Sequence, residues 1–515
     1  MINLKINNKS VEVEEGELVL DAAGKLGIDI PTMCYYKGFD HFTSCMVCMV
    51  KDASSGKLIP SCSVKAVEGM EIITDDDEVI ESRKTALDLL LSEHVGDCEA
   101  PCTVACPAHM DIPHMNRLLA KGDFQEAVKV VKKDIALPSV LGRVCPAPCE
   151  SICHRKSIDS PVSICMLKRF AGDSEVSYIP PIKKETGKKV AIIGGGPAGL
   201  AAAYHIRERG NSCTLFEKDG KAGGILWSFV EKGELPGPVL EREIEVLTNM
   251  GIVFNLETEI DDNKLNELIK GYDAVIIAWG EKDGVFSGLE YTPKGIKADK
   301  QSYQTNTDKV FAVGRSINPT KMVIRILAQG KEVAFSIEQF LNGNKPVGET
   351  SVFNSKFGKL FPEEFPEYLK ESEKYDTIIP EKSVSGGFSP NEVKKEAARC
   401  LHCDCRDKSN CKLRIYSHEY KADQKRFKYD TRKAIKKQLQ HKIVAYEPGK
   451  CIKCGTCIRI TEHNKEQFGF TYIGRGFDME IGVPFNEDIN IALTKTAKKV
   501  AEACPTGAIS KYKSG

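Results

Sequence analysis

The chain has 515 residues, equal numbers of basic and acidic side chains (72 each) and twenty cysteines. That length allows about three to four domains. The balanced charge leaves no electrostatic case for a nucleic-acid partner, and no run approaches the roughly 18 apolar residues of a membrane span. The opening MINLKINNKSVEVEEG has no basic region followed by an apolar run, so no secretory leader is expected and the cytoplasm is the expected compartment. Nineteen cysteines fall into tight groups and only Cys213 stands alone. Thiolates are soft ligands that select iron–sulfur clusters, zinc or copper(I). C-x2-C and C-x3-C runs in a long chain suit a shared metal better than a disulfide framework.

At the N-terminus, Ile2–Ile6 and Val11–Val13 alternate apolar and polar residues around Asn7-Asn8, which predicts a hairpin. Leu18–Leu26 predicts a short helix. Cys34, Cys45, Cys48 and Cys62 follow with gaps of ten, two and thirteen residues, where a plant-type ferredoxin has a first gap of four. This pattern resembles the β-grasp [2Fe–2S] domain of the large iron–sulfur subunit of respiratory complex I and of iron-only hydrogenases. It implies one [2Fe–2S] cluster in a domain over 1–78.

Residues 79–184 predict a helical domain. TALDLLL leads to His94, then Cys98, Cys102 and Cys106-Pro107; Pro101 and Pro107 favour a wrapping loop there. Helical segments are expected at Met115–Lys121 and Phe124–Lys133, before RVCPAPCESIC (Cys145, Cys149, Cys153) and PVSICMLKRF (Cys165). This order resembles the N-terminal domain of the glutamate synthase small subunit and dihydropyrimidine dehydrogenase, which carries two [4Fe–4S] clusters. The resemblance implies one cluster on Cys98, Cys102 and Cys153, and another on Cys106, Cys145 and Cys149. LLLSEHVGDC also resembles the His-x3-Cys start of the complex I motif, which implies His94 as fourth ligand of the first. The second family cluster takes a Gln or Glu where this chain has Lys168, a poor ligand. Cys165, one helical turn earlier, is expected to complete that site.

Residues 185–345 predict a Rossmann-like domain. The strand KKVAII runs into Gly194-Gly195-Gly196-Pro197-Ala198-Gly199 and a helix, and a second strand, CTLFE, ends at Glu217. Gly194 permits the turn, Gly196 lets backbone approach a pyrophosphate, and Gly199 lets helix and strand pack closely. The helix N-terminus with Pro197 and Ala198 offers free N–H groups to phosphate, and Glu217 would accept ribose hydroxyls. The following KDGKAGGILW, with Gly224, resembles the FAD half of the glutamate synthase small subunit, which implies bound FAD. DAVIIAWG and VFAVGR stand where that family has its later strands. About thirty residues separate Gly280 from Val310, too few for the NAD(P)H-binding domain the family inserts there. Gly314-Arg315 replaces the family's Gly-Asp, and an arginine cannot accept the hydrogen bonds that the acid takes from flavin.

Residues 346–392 read as a linker. Over 393–445, Cys400, Cys403, Cys405 and Cys411 form C-x2-C-x-C-x5-C, open to a [4Fe–4S] cluster or structural zinc. Lys421–Lys442 reads as a basic, solvated helical stretch. The final segment, 446–515, holds Cys451, Cys454 and Cys457 as C-x2-C-x2-C, completed by Cys504-Pro505. That is a bacterial ferredoxin pattern; Thr461 stands where a second cluster's cysteine would be, so one [4Fe–4S] is expected in a ferredoxin-like domain.

The whole is expected to be a multidomain α/β and α+β oxidoreductase subunit with one [2Fe–2S], three to four [4Fe–4S] and one FAD. It would relay electrons between a partner's NAD(P)H or ferredoxin site and a further catalytic subunit. Complex partners of NADH-dehydrogenase, hydrogenase or formate-dehydrogenase type are implied, with no nucleic acid. A flavin-bifurcating subunit, a free-standing ferredoxin-dependent flavoenzyme and a non-enzymatic scaffold stand as alternatives.

Overall fold

The computed structural model describes all residues except 175–177, 281–284, 382, 429–430 and 513–515. The chain forms two compact units. The first comprises Met1–Glu99, Val352–Lys370 and the stretch from Cys403; the second comprises Ala100–Ser351 and Glu371–His402.

In the first unit, strands Ile2–Ile6 and Lys9–Val13 pair antiparallel, with Ile6 opposite Lys9. Asn7 and Asn8 make the turn at φ 47° and 64°, a left-handed conformation that Asn tolerates. A five-stranded sheet runs in the order Lys9–Val13, Ile2–Ile6, Glu71–Ile73, Met49–Asp52, Lys57–Pro60. Its alternate residues Leu4, Ile6, Val11 and Val13 are buried beneath helix Val19–Lys25. Helix Asp77–Ser92 follows, its first turn capped by Asp76, which accepts from the Val79 N–H at 2.8 Å. The C-terminal part pairs Val444–Tyr446 with Ile509–Lys511 and packs helices Thr456–His463 and Ala497–Ala503 beside them.

No helix occurs among the described residues of 421–442, contrary to the sequence expectation. The stretch has no apolar period to bury. Its polar groups bond outward instead: Arg432 donates to Glu364 at 2.6 Å and to the Lys359 carbonyl at 2.9 Å, and the Lys437 N–H donates to Glu367. The presumed linker is likewise structured in part, since Phe357, Leu360 and Tyr368 are buried.

The second unit holds a parallel sheet in the order Val310–Ala312, Ala274–Ile277, Lys189–Ile193, Ser212–Phe216, Val253–Asn255. Helices Pro197–Glu208 and Val323–Leu341 pack closely because Gly330 has no side chain: a Cβ there would lie 2.6 Å from the Ala198 carbonyl. Its helical part includes Ile112–Lys121, Phe124–Lys132, Pro138–Val144, Ile164–Ser174 and Pro390–Ala398. The Cys98–Cys106 stretch is not wholly a loop: Pro101–Ala105 is a short helix with Pro101 in its first turn, where a missing N–H costs nothing.

Candidate metal centres and dinucleotide site

All twenty cysteines carry free thiols. In the first unit, Cys34, Cys45, Cys48 and Cys62 are buried, the first three between helix Val19–Lys25 and strand Met49–Asp52 and the fourth just after strand Lys57–Pro60. The Cys48 and Cys62 sulfurs lie 3.2 Å apart, and His41 Nε2, which sequence reasoning passed over, lies 3.2 Å from Cys62. Hydrogen bonds from Cys45 and then Cys62 hold the Cys34 thiol far below its ordinary range. Four thiols linked in the order Cys45, Cys34, Cys62, Cys48 are a donor set suited to a cluster of thiophilic metal.

Cys451, Cys454, Cys457 and Cys504 line one cavity walled by Tyr446, Ile481 and Ile509. Backbone N–H groups of Lys453 and Ile509 donate to the sulfurs of Cys451 (3.3 Å) and Cys504 (3.5 Å). Such donors stabilise thiolate charge and tune a cluster. Thr461, in place of a fifth ligand, is buried; its hydroxyl donates to the Ile458 carbonyl and accepts from the Phe470 N–H. Cys454 shares one buried apolar cluster with Cys34, Cys45 and Cys411, together with Leu87 and Leu413.

Cys98 meets partners that the spacing did not suggest. The Cys405 N–H donates to the Cys98 carbonyl at 3.1 Å. Ser355, in the presumed linker, places its hydroxyl 3.2 Å and its N–H 3.4 Å from the Cys98 sulfur. Burial first, then the charges of Cys405 and Cys98, push Cys411 up to about 12. His94 is half-buried, its Nδ1 enclosed with no hydrogen-bond partner; burial, then Lys450, pushes it down to about 4. It is therefore a neutral imidazole, the form that binds metal. Cys102 and Cys153, the sequence-implied companions of His94 and Cys98, belong to the second unit, as does Cys400.

In the second unit, helices Pro138–Val144 and Ile164–Ser174 approach closely at two glycines. A Cβ on Gly142 would lie 2.3 Å from Arg169 Cβ, and one on Gly172 2.8 Å from the Ser139 nitrogen. This brings Cys145, at the end of one helix, to Cys165 in the first turn of the other; Glu150 holds that turn by accepting the Cys165 N–H at 2.7 Å. Hydrogen bonding to Cys165, then burial, raises Cys145, and Cys165 also bonds Cys149. Lys168 is buried beside them, Nζ 3.7 Å from the Cys165 sulfur. Burial alone would lower its pKa. The charges of Cys165, Cys145, Cys149 and Cys106 outweigh that and raise it, so it is a buried ammonium.

Cys400 is pushed up to about 11 by burial, with Cys153 among the charges acting on it. The buried Arg399 fixes this neighbourhood, donating to Glu396 at 2.8 Å and Asp159 at 3.1 Å, while Arg155 donates to the Arg399 carbonyl at 3.1 Å. Among the described residues, no three His, Cys, Asp or Glu side chains are placed to hold a single metal ion, and no helix is long and apolar enough to cross a membrane.

The dinucleotide loop sits at the carboxyl edge of the parallel sheet, where such folds bind ligands. Gly194 has φ 108°, and a Cβ on Gly199 would lie 2.0 Å from the Gly194 carbonyl. Gly224 (φ 49°) closes on the loop, its Cβ position 2.9 Å from Gly196 Cα. Glu217 is buried and accepts the Gly195 N–H at 2.6 Å. With Gly194, Lys218 and Trp279 it lines a cavity of about 390 Å³. Trp279 stacks on Phe286 at 4.4 Å; the WG at the end of DAVIIAWG was its only sequence signal. Gly314 faces the start of the same helix, its Cβ position 2.8 Å from Ala198 Cβ, and its N–H donates to Gln329 at 2.9 Å. Arg315 is half-buried next to it. The glycine cradle and the acid fit a dinucleotide.

Residues 1–77 match a 2Fe-2S iron-sulfur cluster binding domain, residues 89–178 the dihydropyrimidine dehydrogenase domain II, 4Fe-4S cluster, and residues 192–252 an NAD(P)-binding Rossmann-like domain. The chain is 40% identical over 205 residues to the NADPH-Fe(3+) oxidoreductase subunit beta of Geobacter sulfurreducens, covering 38% of this chain and 30% of that protein. It is 40% identical over 207 residues to the NADP(+)-dependent formate dehydrogenase subunit beta of Moorella thermoacetica, covering 35% and 29%. It is 36% identical over 262 residues to the glutamate synthase [NADPH] small chain of Bacillus subtilis, covering 46% and 52%. The chain thus spans about a third to a half of the length of these relatives. They are oxidoreductases or oxidoreductase subunits, and the first two iron–sulfur regions and the Rossmann-like region are matched in the order expected from the sequence.

Proposed function

We propose that this chain is an iron–sulfur flavoprotein that relays electrons inside an oxidoreductase complex. The observation that carries this is the buried apolar cluster of the first unit, in which cysteines of three separate sites, Cys34 and Cys45, Cys411, and Cys454, pack together. Sites that share one dry core are spaced for electron passage and shielded from solvent. When bound, iron–sulfur clusters supply one-electron transfer and FAD exchanges paired for single electrons. The residues hold and tune: Cys34/45/48/62 a [2Fe–2S], Cys451/454/457/504 and Cys106/145/149/165 a [4Fe–4S] each. The remaining seven grouped cysteines, with His94, offer ligands for one or two more. Gly194, Gly196 and Gly199 with Glu217 would seat FAD, and Gly314 and Arg315, next to the start of the same helix, are further candidates to hold it. Two of the similar proteins are beta subunits by name, which supports a partner that supplies or takes the electrons. The short Gly280–Val310 stretch supports a nicotinamide site on that partner.

The test is anaerobic purification with iron, sulfide, zinc and flavin measured per chain. About fourteen to eighteen irons with one FAD, and no flavin bleaching by NAD(P)H without a partner, are expected. Few irons, or full iron without flavin, would overturn the FAD relay.

A further inference from the structure

We propose that Cys98, Cys405 and Cys411 are ligands of one iron–sulfur cluster, a set that joins residues some three hundred positions apart and differs from the Cys98, Cys102 and Cys153 set implied by the sequence resemblance. All three are buried, with 7, 6 and 5% of their surface exposed. All three belong to the first unit. The Cys405 N–H to Cys98 carbonyl bond, 3.1 Å long, ties the two loops together.

The surroundings are those of a built thiolate site. Ser355 turns both its hydroxyl and its N–H to the Cys98 sulfur, and its hydroxyl also reaches the Gly96 carbonyl at 2.8 Å. Gly507 serves the other two. It lies against the Cys405 sulfur so closely that a Cβ would come within 2.3 Å, and its backbone hydrogen-bonds Cys411. The glycine is therefore required by the sulfurs and not by its own backbone angles. Lys450, whose Nζ is held by Glu447 at 2.6 Å, supplies a buried cation next to Cys405. Backbone donors aimed at sulfur, plus a nearby cation, stabilise the negative charge of a thiolate-bound cluster. Cys403, two residues before Cys405 and so within about 7 Å of it along the backbone, lies in the same unit and falls to the fourth position.

This inference rests on the relay reading only in taking these thiols as cluster ligands. Wild-type iron content tests that reading; the pairing of lost signals tests this one. Cys98→Ser, Cys411→Ser, the double variant and Cys153→Ser are to be reconstituted anaerobically in the full chain, with iron counted and the reduced clusters read by EPR. Cys98→Ser and Cys411→Ser are each expected to lose about four irons and the same EPR signal, and the double variant to lose no more than either. Cys153→Ser is expected to lose a different signal. A double variant that loses about eight irons, or a Cys98→Ser that loses the signal lost in Cys153→Ser, would overturn the set. Retention of the [2Fe–2S] signal shows that the variant has folded. Ser355→Ala, which leaves all thiols in place, is expected to shift the potential of that one signal; a shift in any other signal, or in none, counts against it.

Discussion

Two four-cysteine sites differ in what lies beside their sulfurs. Around Cys451, Cys454, Cys457 and Cys504 the cavity wall is apolar and holds no lysine; of the two lysines that flank these ligands in sequence, buried Lys450 is paired with Glu447 at 2.6 Å, and Lys453 keeps 22% of its side chain exposed and pairs with Glu93 at 3.0 Å. Around Cys106, Cys145, Cys149 and Cys165 an ammonium, Lys168, is fully enclosed. A reduced cluster carries one more negative charge than an oxidised one, so an enclosed cation favours reduction while an exposed one is screened. The comparison predicts that two sites of equal ligand count would differ in potential through the side chain enclosed beside them, a cluster on the second unit's four cysteines being the better electron acceptor.

The strongest way to break the comparison is to remove a ligand. Cys165→Ala is expected to lose about four irons while the Cys504 site keeps its signal; full iron with unchanged potential would return Cys165 to a bystander. Next comes Lys168→Met, expected to lower the potential of the second unit's cluster by on the order of 100 mV in a spectroelectrochemical titration. No change would remove the cation from the account. Gly142→Ala places a Cβ against Arg169 and is expected to destabilise the second unit by about 1–3 kcal/mol, read as loss of its cluster at a lower temperature than the first unit's. Glu243 sharpens the point more gently. It accepts the N–H groups of Ser139 and Val140, at the start of the helix that ends at Cys145, at 3.0 and 2.9 Å, and burial pushes it up to about 7. Its neutral form is the one the fold favours, so its contribution is whole below the ordinary carboxylate range and fades as pH rises through about 7. Glu243→Gln is expected to flatten the fall in melting temperature between about pH 5 and 7; an unchanged slope would assign that fall elsewhere. Lys453→Met is expected to give the smallest effect, a shift well below that of Lys168→Met.

The local parts were legible in the sequence because their physics is local. The alternation of Leu4, Ile6, Val11 and Val13, the glycines at 194, 196 and 199, and the C-x2-C-x2-C run each fix a conformation within a dozen residues, and the structure carries them as expected. What stayed hidden depends on tertiary path. No spacing rule links Cys98 to Cys411, since Ser355 and Gly507, the residues that seat them, are themselves distant in sequence. By sequence Lys168 is a poor ligand at a ligand position; its burial among four sulfurs makes it a charge there. Residues 421–442 misled because a run of Lys and Arg scores well for helix by propensity alone. Buried Glu364, bonded to Arg432 and to the Ile435 N–H at 3.1 Å, offered that backbone a better set of partners.

The apolar cluster shared by Cys34, Cys45, Cys411 and Cys454 also bears on how the molecule is made. On the proposed ligand sets those sulfurs would be wall and ligand at once, so the first unit could not close its interior with the metal outside. Loading iron and finishing the fold would then be a single event, and the order in which the cell's cluster carriers deliver their cargo would be an order of folding. A damaged cluster in that unit could then be replaced only by opening the core around its neighbours.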